Sequence, residues 1–316
     1  MKTILVTGGT GFVGRALVPL LAARGYAVRL ALREASPLFQ DAAVVGSIGP
    51  ETDWSGALDG IDAVVHLAAR VHVMDDRSGN PLAAFRKVNT EGTLRLAEAA
   101  RNAGAARFVF MSSIKAAGER SGDVPLSENM PARPETPYGQ SKLEAEEGLM
   151  AMHGLHAVIL RPPLVYGPGV KGNFRTLMNV VMRGIPLPLA SVFNQRSLIF
   201  SGNLADAALA ALECADLPAG RYHVCDGAPV STPDLLKGVA AAAGRRVRLV
   251  PFPPALLRLA AKAAGAYPAW ERVCGNLVVD DRAFRQKAAW VPPFSMEEGL
   301  ALAAEWHKAY LEGRTE

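Results

Sequence analysis

Short runs of consecutive apolar residues alternate with amphipathic stretches through the first 160 residues of the chain. Because these runs are continuously hydrophobic rather than alternating, we expect strands that helices cover on both faces, as in parallel sheets. The predicted strands are 3–7, 27–32, 62–67 and 107–111, and the predicted helices are about 12–23 and 81–103. Alternation of strand and helix indicates an α/β fold with a doubly wound parallel sheet, the Rossmann arrangement.

Beyond Arg161 the pattern loosens, and five prolines interrupt residues 162–188. Short helices and strands then mix until a final helix at about 295–312. We therefore predict a smaller, mostly C-terminal α/β lobe. The first lobe would comprise residues 1–167 with about 196–225, and the second about 168–195 with 226–316.

Composition is that of a globular protein, with 50% hydrophobic and 20% charged residues in 316. No uncharged stretch is long enough to span a membrane, and Arg258 and Lys262 make the most apolar late segment an amphipathic helix. The apolar run at residues 3–7 leads directly into glycines, unlike a secretory signal. We expect a cytoplasmic protein.

The cysteines, the histidines and the charge distribution argue against a disulfide-stabilised protein, a metal protein and a nucleic-acid-binding protein. Cys214, Cys225 and Cys274 are widely spaced and form no C-x-x-C pair, so neither a disulfide framework nor a zinc site is expected. His153 and His156 lack a third ligand nearby, and we predict no metal. The net charge of +4 is spread without basic blocks, so we expect no nucleic-acid partner.

A glycine turn follows the first predicted strand and opens the first predicted helix. Gly8, Gly11 and Gly14 give the spacing G-x-x-G-x-x-G, with Phe12 and Val13 between the last two. Small residues there let a pyrophosphate approach the backbone N–H groups at a helix N-terminus. The turn predicts a dinucleotide site, and an ordinary tight turn is the alternative.

The end of the second strand bears on the choice of cofactor. An acidic residue there favours NAD, because it accepts from the ribose 2′-hydroxyl, whereas an arginine accommodates the 2′-phosphate of NADP. Arg33 occupies this place and Glu34 follows it. NADP(H) is therefore favoured and NAD(H) is the alternative, unless Arg33 is only a surface charge.

Tyr138 and Lys142 form a Y-x-x-x-K pair, which one face of a helix would present together. A neighbouring ammonium favours the phenolate and makes tyrosine a better acid–base group. Ser112 and Ser113 directly follow the strand 107–111, at the edge of the sheet where α/β enzymes place their chemistry. We predict that Ser113 orients a substrate oxygen while Tyr138 exchanges its proton.

Together these motifs resemble the extended short-chain dehydrogenase/reductases, the NAD-dependent epimerase/dehydratase group, over nearly the whole chain. The resemblance implies that Ser113, Tyr138 and Lys142 form the active triad and that Asn89 supports the site. It also implies further contacts. Cofactor contacts are Ser47, Ile48, Leu67, Ala68, Ala69 and Pro163, and substrate diphosphate contacts are Asn173, Arg196 and, as a second phosphate arginine, Arg272.

Departures from the family pattern narrow the expected activity. Lys115 and Ala117 replace a small hydroxyl residue and a tyrosine of many sugar epimerases, and Leu164 replaces an asparagine. Lys115 would hold a polar or anionic substrate group, or else lie in solvent. Ser47 stands where the family usually has an acid near adenine, which with Arg33 favours a dissociable NADPH.

The chain is most similar to bacterial reductases of UDP-linked 4-keto-6-deoxy-N-acetylhexosamines, which serve surface polysaccharide synthesis. The leading hypothesis is accordingly NAD(P)H-dependent reduction of a 4-keto group on a UDP-linked sugar. A UDP-hexose 4-epimerase with tightly bound NAD is the alternative, and a non-catalytic NADP-sensing protein is the third. Helix-paired homodimers are common in the family.

Overall fold

The computed structural model describes residues 1–71 and 79–314. Its centre is a seven-stranded sheet of order β3-β2-β1-β4-β5-β6-β9, in which every neighbouring pair is parallel. These strands are β1 (Thr3–Thr7), β2 (Ala27–Leu32), β3 (Ala43–Val44), β4 (Ala63–His66), β5 (Arg107–Met111), β6 (Ala157–Arg161) and β9 (Gly220–His223). A separate parallel pair joins β7 (Leu164–Tyr166) to β8 (Leu198–Phe200). The predicted α/β parallel fold is confirmed.

Helices cover both faces of the large sheet and build a second layer beyond β7 and β8. They are α1 (Gly14–Ala23), α2 (Ser55–Leu58), α3 (Pro81–Phe85), α4 (Gly92–Asn102), α5 (Pro137–Ala151), α6 (Gly172–Arg183), α7 (Ser201–Glu213), α8 (Thr232–Ala242), α9 (Pro254–Ala263), α10 (Tyr267–Cys274), α11 (Arg282–Lys287) and α12 (Met296–Leu311). Within the described ranges, no helix is long and apolar enough to cross a membrane.

The hydrophobic core explains why the strands read as continuously apolar. Ile4 and Val6 of β1 pack on one face with helix α1, whereas Leu5 packs on the other face with Val64 and Phe108. Successive strand side chains point to opposite faces, so a sheet buried on both sides needs an apolar residue at each position. Strand order reverses between β1 and β4, which opens a crevice at their carboxyl ends.

A third apolar cluster lies in the second half of the chain. Phe174 of α6, Phe200 of β8 and Leu235 of α8 belong to it, while Phe284 and Trp290 pack into the core beside β1. Residues well beyond position 226 therefore pack into the core that contains Ile4 and Val6 of β1. The two-lobe boundaries proposed from the sequence stay a prediction.

One expected helix is divided in the structure. Residues 81–103 form α3, a π-helical turn at Arg86–Glu91 and then α4, instead of one continuous α-helix. The side chain of Asn89, within the turn, is buried and hydrogen-bonds outside its own helix. Such π-turns often occur at functional sites, and this one points toward the crevice residues described next.

Candidate active site

The glycine turn between β1 and α1 is required by close backbone packing. A Cβ on Gly8, whose φ is +68°, would lie 2.8 Å from the Ala68 backbone nitrogen, and one on Gly14 would lie 2.4 Å from the Gly9 carbonyl oxygen. Both distances are shorter than any tolerated contact of a Cβ atom. The turn therefore brings β1, α1 and the residue after β4 into direct backbone contact.

The same turn has the donors that a pyrophosphate needs. The N–H groups of Gly11 and Arg15 donate within the chain, to Gly8 and Gly11 carbonyl oxygens at 2.9 Å each. For the N–H groups of Phe12 and Val13, no partner is recorded among residues 1–71 and 79–314. They lie at the positive end of the α1 dipole, so the turn fits a dinucleotide phosphate.

Residues predicted to contact the adenosine half lie at the ends of β2 and β3. Arg33 follows β2 and is exposed, as is Ser47, whose carbonyl oxygen accepts from the Thr52 hydroxyl at 3.2 Å. Ile48 is half-buried against the helix position of Gly92. An exposed guanidinium beside the crevice can meet an anionic group there without losing an existing ion pair.

A buried histidine hydrogen-bonds the elements that flank the crevice. His66 is 1% exposed, and its ring nitrogens pair with the hydroxyls of Thr7 at 2.6 Å and Thr93 at 3.0 Å. The Thr7 hydroxyl also accepts from the Ala68 N–H at 3.2 Å, which holds the half-buried segment 67–69 beside the glycine turn. Burial lowers the pKa of His66 to about 3, so the ring is neutral at neutral pH. His72, the second histidine near this strand, lies outside the described residues.

Asn89 links three elements around the crevice. Its Oδ1 accepts from the Arg70 N–H at 2.8 Å, and its Nδ2 donates to the Arg70 carbonyl oxygen and to the Ser141 hydroxyl, each at 3.1 Å. Asn89 is 1% exposed, so these bonds satisfy an otherwise buried amide. They tie the segment after β4 to helix α5, which carries the predicted tyrosine and lysine.

The predicted catalytic residues come together at the carboxyl edge of β5. Ser113 caps a short 3₁₀ turn (Ile114–Ala116), accepting from the Lys115 N–H at 3.3 Å, and its hydroxyl lies close enough to the Tyr138 phenol to lower the pKa of that phenol. Tyr138 is half-buried and meets the Phe85 ring edge-on at 6.0 Å. The Lys142 ammonium donates to the Met111 carbonyl oxygen at 2.9 Å and lies 4.4 Å from the Phe110 ring centre.

Burial dominates the titration of both groups on α5. It raises the pKa of Tyr138 to about 12, against which the Ser113 hydrogen bond acts. It lowers the pKa of Lys142 to about 7, against which the Glu146 carboxylate acts. Tyr138 is therefore a protonated phenol at neutral pH, and a further positive charge beside it would be needed to favour the phenolate.

Sequence reasoning missed Glu146. Its carboxylate is fully buried on α5 and accepts from Ser112, Arg161 and Arg221. Its spacing could have indicated it, because Glu146 lies four residues after Lys142 and Lys142 lies four residues after Tyr138, which places all three on one face of a helix.

The predicted substrate contacts Lys115 and Asn173 and the predicted cofactor contact Pro163 differ in their burial. Lys115 is neither fully solvated nor free, because its ammonium pairs with Glu119 at 3.0 Å. Pro163 is buried next to the Pro162 carbonyl that accepts from Ile114, whereas Asn173 is exposed in the first turn of α6.

Arg196 lies shortly before β8, and Arg272 lies on α10. The Arg196 guanidinium is half-buried and donates to the Gly275 carbonyl oxygen at 2.9 Å, while Arg272 is exposed on α10. Gly275 also lines a cavity of about 520 Å³ between α9, α10 and the segment before β8, together with Arg120, Phe193, Trp270 and Glu271. Among the described residues no group of three or more metal-ligating side chains is gathered.

Known proteins share this arrangement. A UDP-glucose 4-epimerase of Vibrio cholerae is 39% identical over 315 residues, which cover 96% of this chain and 95% of that protein. The crystal structure of a Thermotoga maritima UDP-glucose 4-epimerase with UDP-glucose is 25% identical, with a TM-score of 0.75 over 98% of this chain and 100% of that one. A Thermus thermophilus UDP-glucose 4-epimerase complex with NAD is also 25% identical, with a TM-score of 0.74 over 97% and 99%.

A family model matches more than half of the chain. The model of the NAD dependent epimerase/dehydratase family matches residues 4–225, which contain the glycine turn, Ser113 and the tyrosine–lysine pair. The resemblance noted in the sequence is confirmed, and the chain belongs to the NAD-dependent epimerase/dehydratase family.

Proposed function

We propose that this protein oxidises and reduces C4 of a UDP-linked sugar with a nicotinamide cofactor, and that 4-epimerisation is its net reaction. The observation that carries the proposal is that Ser113, Tyr138 and buried Lys142 come together at the carboxyl edge of β5, in the crevice that the glycine turn opens. The relatives named as UDP-glucose 4-epimerases support the substrate class and the net reaction.

The chain's own residues would share the work as follows. Phe12 and Val13 N–H groups would bind the cofactor's pyrophosphate, with Ala68 and Pro163 packed beside it. Ser113 would orient the C4 oxygen, and Tyr138 would take up and return its proton. Lys142 would bind the ribose and favour the Tyr138 phenolate. The bound nicotinamide would supply the acceptor and donor of hydride.

NAD is the proposed cofactor for this reaction. An epimerase uses one hydride repeatedly and therefore gains by keeping its cofactor, which the complex of a 25% identical epimerase with NAD also supports. Asn173, Arg196 and Arg272 would contact the diphosphate of the sugar nucleotide, whose charge suits their guanidinium and amide donors.

The test is the purified protein with UDP-glucose and UDP-N-acetylglucosamine in turn, without added reductant. We expect interconversion with the C4 epimer and nicotinamide released only on denaturation. Absence of epimer together with cofactor-free protein would refute the 4-epimerase proposal.

Reduction of a UDP-linked 4-keto-6-deoxy sugar is the second candidate. Arg33, exposed after β2 with no recorded ion pair in the described chain, favours it because it could meet a 2′-phosphate. Oxidation of NADPH by UDP-4-keto-6-deoxy-N-acetylglucosamine would support it, especially if Arg33→Ala weakened NADPH binding ~10-fold and left NADH binding unchanged. A role in polysaccharide synthesis, a cytoplasmic location and a homodimer stay predictions from the sequence.

A further inference from the structure

Helix α5 carries a buried carboxylate on the face of Tyr138 and Lys142. Glu146 is spaced four residues from Lys142, as Lys142 is from Tyr138, so the three side chains lie in one row along the helix. Glu146 has no exposed surface. A buried carboxylate is costly unless charges and donors surround it, so its partners indicate what it holds.

Those partners come from three neighbouring strands of the large sheet. Ser112, after β5, donates its hydroxyl to Glu146 Oε1 at 2.5 Å. Arg161 of β6 donates its Nε to Oε1 at 2.9 Å and its Nη2 to Oε2 at 2.5 Å, and Arg221 of β9 donates its Nε to Oε2 at 3.0 Å. Glu146 thus joins α5 to β5, β6 and β9 directly behind the catalytic edge.

Besides joining α5 to the strands, Glu146 supplies a negative charge that acts on Lys142. Lys142 is faced by neutral His66 of β4, by Glu146 of its own helix, and by the Met111 carbonyl and the Phe110 ring of β5. Glu146 is the negative group among them. The groups facing Glu146 itself are the guanidinium ions of Arg161 and Arg221, the Ser112 hydroxyl, Lys142, and His223 of β9.

Loss of the carboxylate would remove the negative charge that acts on buried Lys142 and would leave the two guanidinium ions around position 146 without their counter-ion. The ammonium form, which burial already disfavours, would then be disfavoured further by the unbalanced positive charge. An amine without a proton cannot favour a phenolate.

We propose that Glu146 is a positioning residue, which keeps Lys142 in its ammonium form and holds the Ser112–Ser113 segment against α5. Its effect on turnover rests on the proposed function, because it acts through the proton transfer assigned to Tyr138. Its effect on the charge of Lys142 does not depend on any substrate.

A direct test is titration of the Lys142 ammonium in protein carrying carbon-13 in the lysine ε-methylene. The Lys142 signal is identified as the one missing from Lys142→Met. In Glu146→Gln we expect its pKa to fall by ~1 unit or more. Glu147→Gln, the same change at the next and exposed position of α5, should leave it in place. An unchanged pKa in folded Glu146→Gln would overturn the proposal.

Arg221→Met keeps Glu146, and its expected shift of the Lys142 pKa is opposite in direction to that of Glu146→Gln. Arg221 is part-exposed, so its removal is milder for folding, and it takes a positive charge away from Glu146. We expect the pKa of Lys142 to rise, and a fall or no change would overturn the proposal even if Glu146→Gln does not fold.

The pH profile of turnover separates the two proposals. If Tyr138 is the proton acceptor, the acid limb of kcat should move up in Glu146→Gln and down in Arg221→Met, with KM for the UDP-sugar changed less than ~3-fold. A wild-type protein without turnover would refute the proposed function alone, since the lysine titration would still decide the role of Glu146. Equal loss of kcat in Glu146→Gln at every pH would show a purely structural role and overturn the proposal.

Discussion

The Lys115 ammonium lies 3.0 Å from a carboxylate oxygen of Glu119, and that carboxylate also accepts from the Thr136 hydroxyl at 2.6 Å. Thr136 in turn caps α5 by accepting from the Gly139 N–H at 3.3 Å. A predicted substrate contact is therefore connected to the start of the helix that carries Tyr138. The ion pair is half-buried, so an anionic sugar group would compete with Glu119 for the same ammonium.

Replacement of Lys115 tests its predicted contact with substrate. In Lys115→Met we expect KM for the UDP-sugar to rise ~10-fold with kcat changed less than ~3-fold, because a charged hydrogen bond to the ligand is lost. Steady-state kinetics measure this. Lys237→Met, which removes an exposed ion pair with Asp234, is the control. An unchanged KM would make Lys115 only a partner of Glu119.

Removal of the Tyr138 hydroxyl tests the proton transfer. We expect Tyr138→Phe to lose ~10²-fold to ~10⁴-fold of kcat, because no other group at the Ser113 hydroxyl would exchange the proton. Cofactor affinity by calorimetry should stay within ~3-fold, since the phenol is not assigned to the phosphate turn. Tyr310→Phe, on the exposed side of α12, should behave as wild type. Full activity of the Tyr138 variant would contradict the mechanism.

Gly14 tests the backbone contact at the start of α1. A Cβ there would lie 2.4 Å from the Gly9 carbonyl oxygen and 2.5 Å from that of Gly8. We expect Gly14→Ala to lower the free energy of unfolding by ~2 kcal/mol or more and to weaken cofactor binding. The control is Gly56→Ala in helix α2, where no atom lies within 4 Å of the added Cβ. That variant should gain ~0.5 kcal/mol in urea unfolding. Equal stabilities would refute the packing argument.

Two buried histidines predict loss of stability in acid. Burial lowers the pKa of His66 to about 3 and that of His223 to about 4, from an ordinary value of 6.5. Below about pH 6.5 the unfolded chain therefore binds more protons, and the free energy of unfolding falls as the pH falls toward 4. Each ring contributes a slope of ~1.4 kcal/mol per pH unit. Urea unfolding between these pH values measures it.

His223→Gln should lower that slope by the contribution of one ring, ~1.4 kcal/mol per pH unit. The glutamine amide can still donate to the Leu126 carbonyl oxygen, which His223 Nδ1 contacts at 3.1 Å. The same change at His153, which is not buried, should leave the slope unaltered. An unaltered slope in His223→Gln would show that this ring does not contribute to acid sensitivity.

Local patterns in the sequence predicted much of the parallel sheet. Strands β1, β2 and β5 have the bounds predicted from their mostly apolar runs, because burial on both faces favours apolar residues at successive positions. The glycine turn was readable as well, since its spacing follows from backbone contacts between neighbouring elements. Tyr138 and Lys142 were found because helical periodicity places them on one face.

Contacts between distant residues were decided only by the tertiary structure. From the π-helical turn, Asn89 hydrogen-bonds Arg70 and Ser141, and no local pattern in the sequence predicts either partner. Glu146 collects donors from positions 112, 161 and 221, which the strand order alone brings together. By itself the sequence determined the fold class and the placement of Tyr138 and Lys142 on one face of α5, since short-range periodicity encodes both. The charge environment of that pair depends on which strands are neighbours, and only folding sets that.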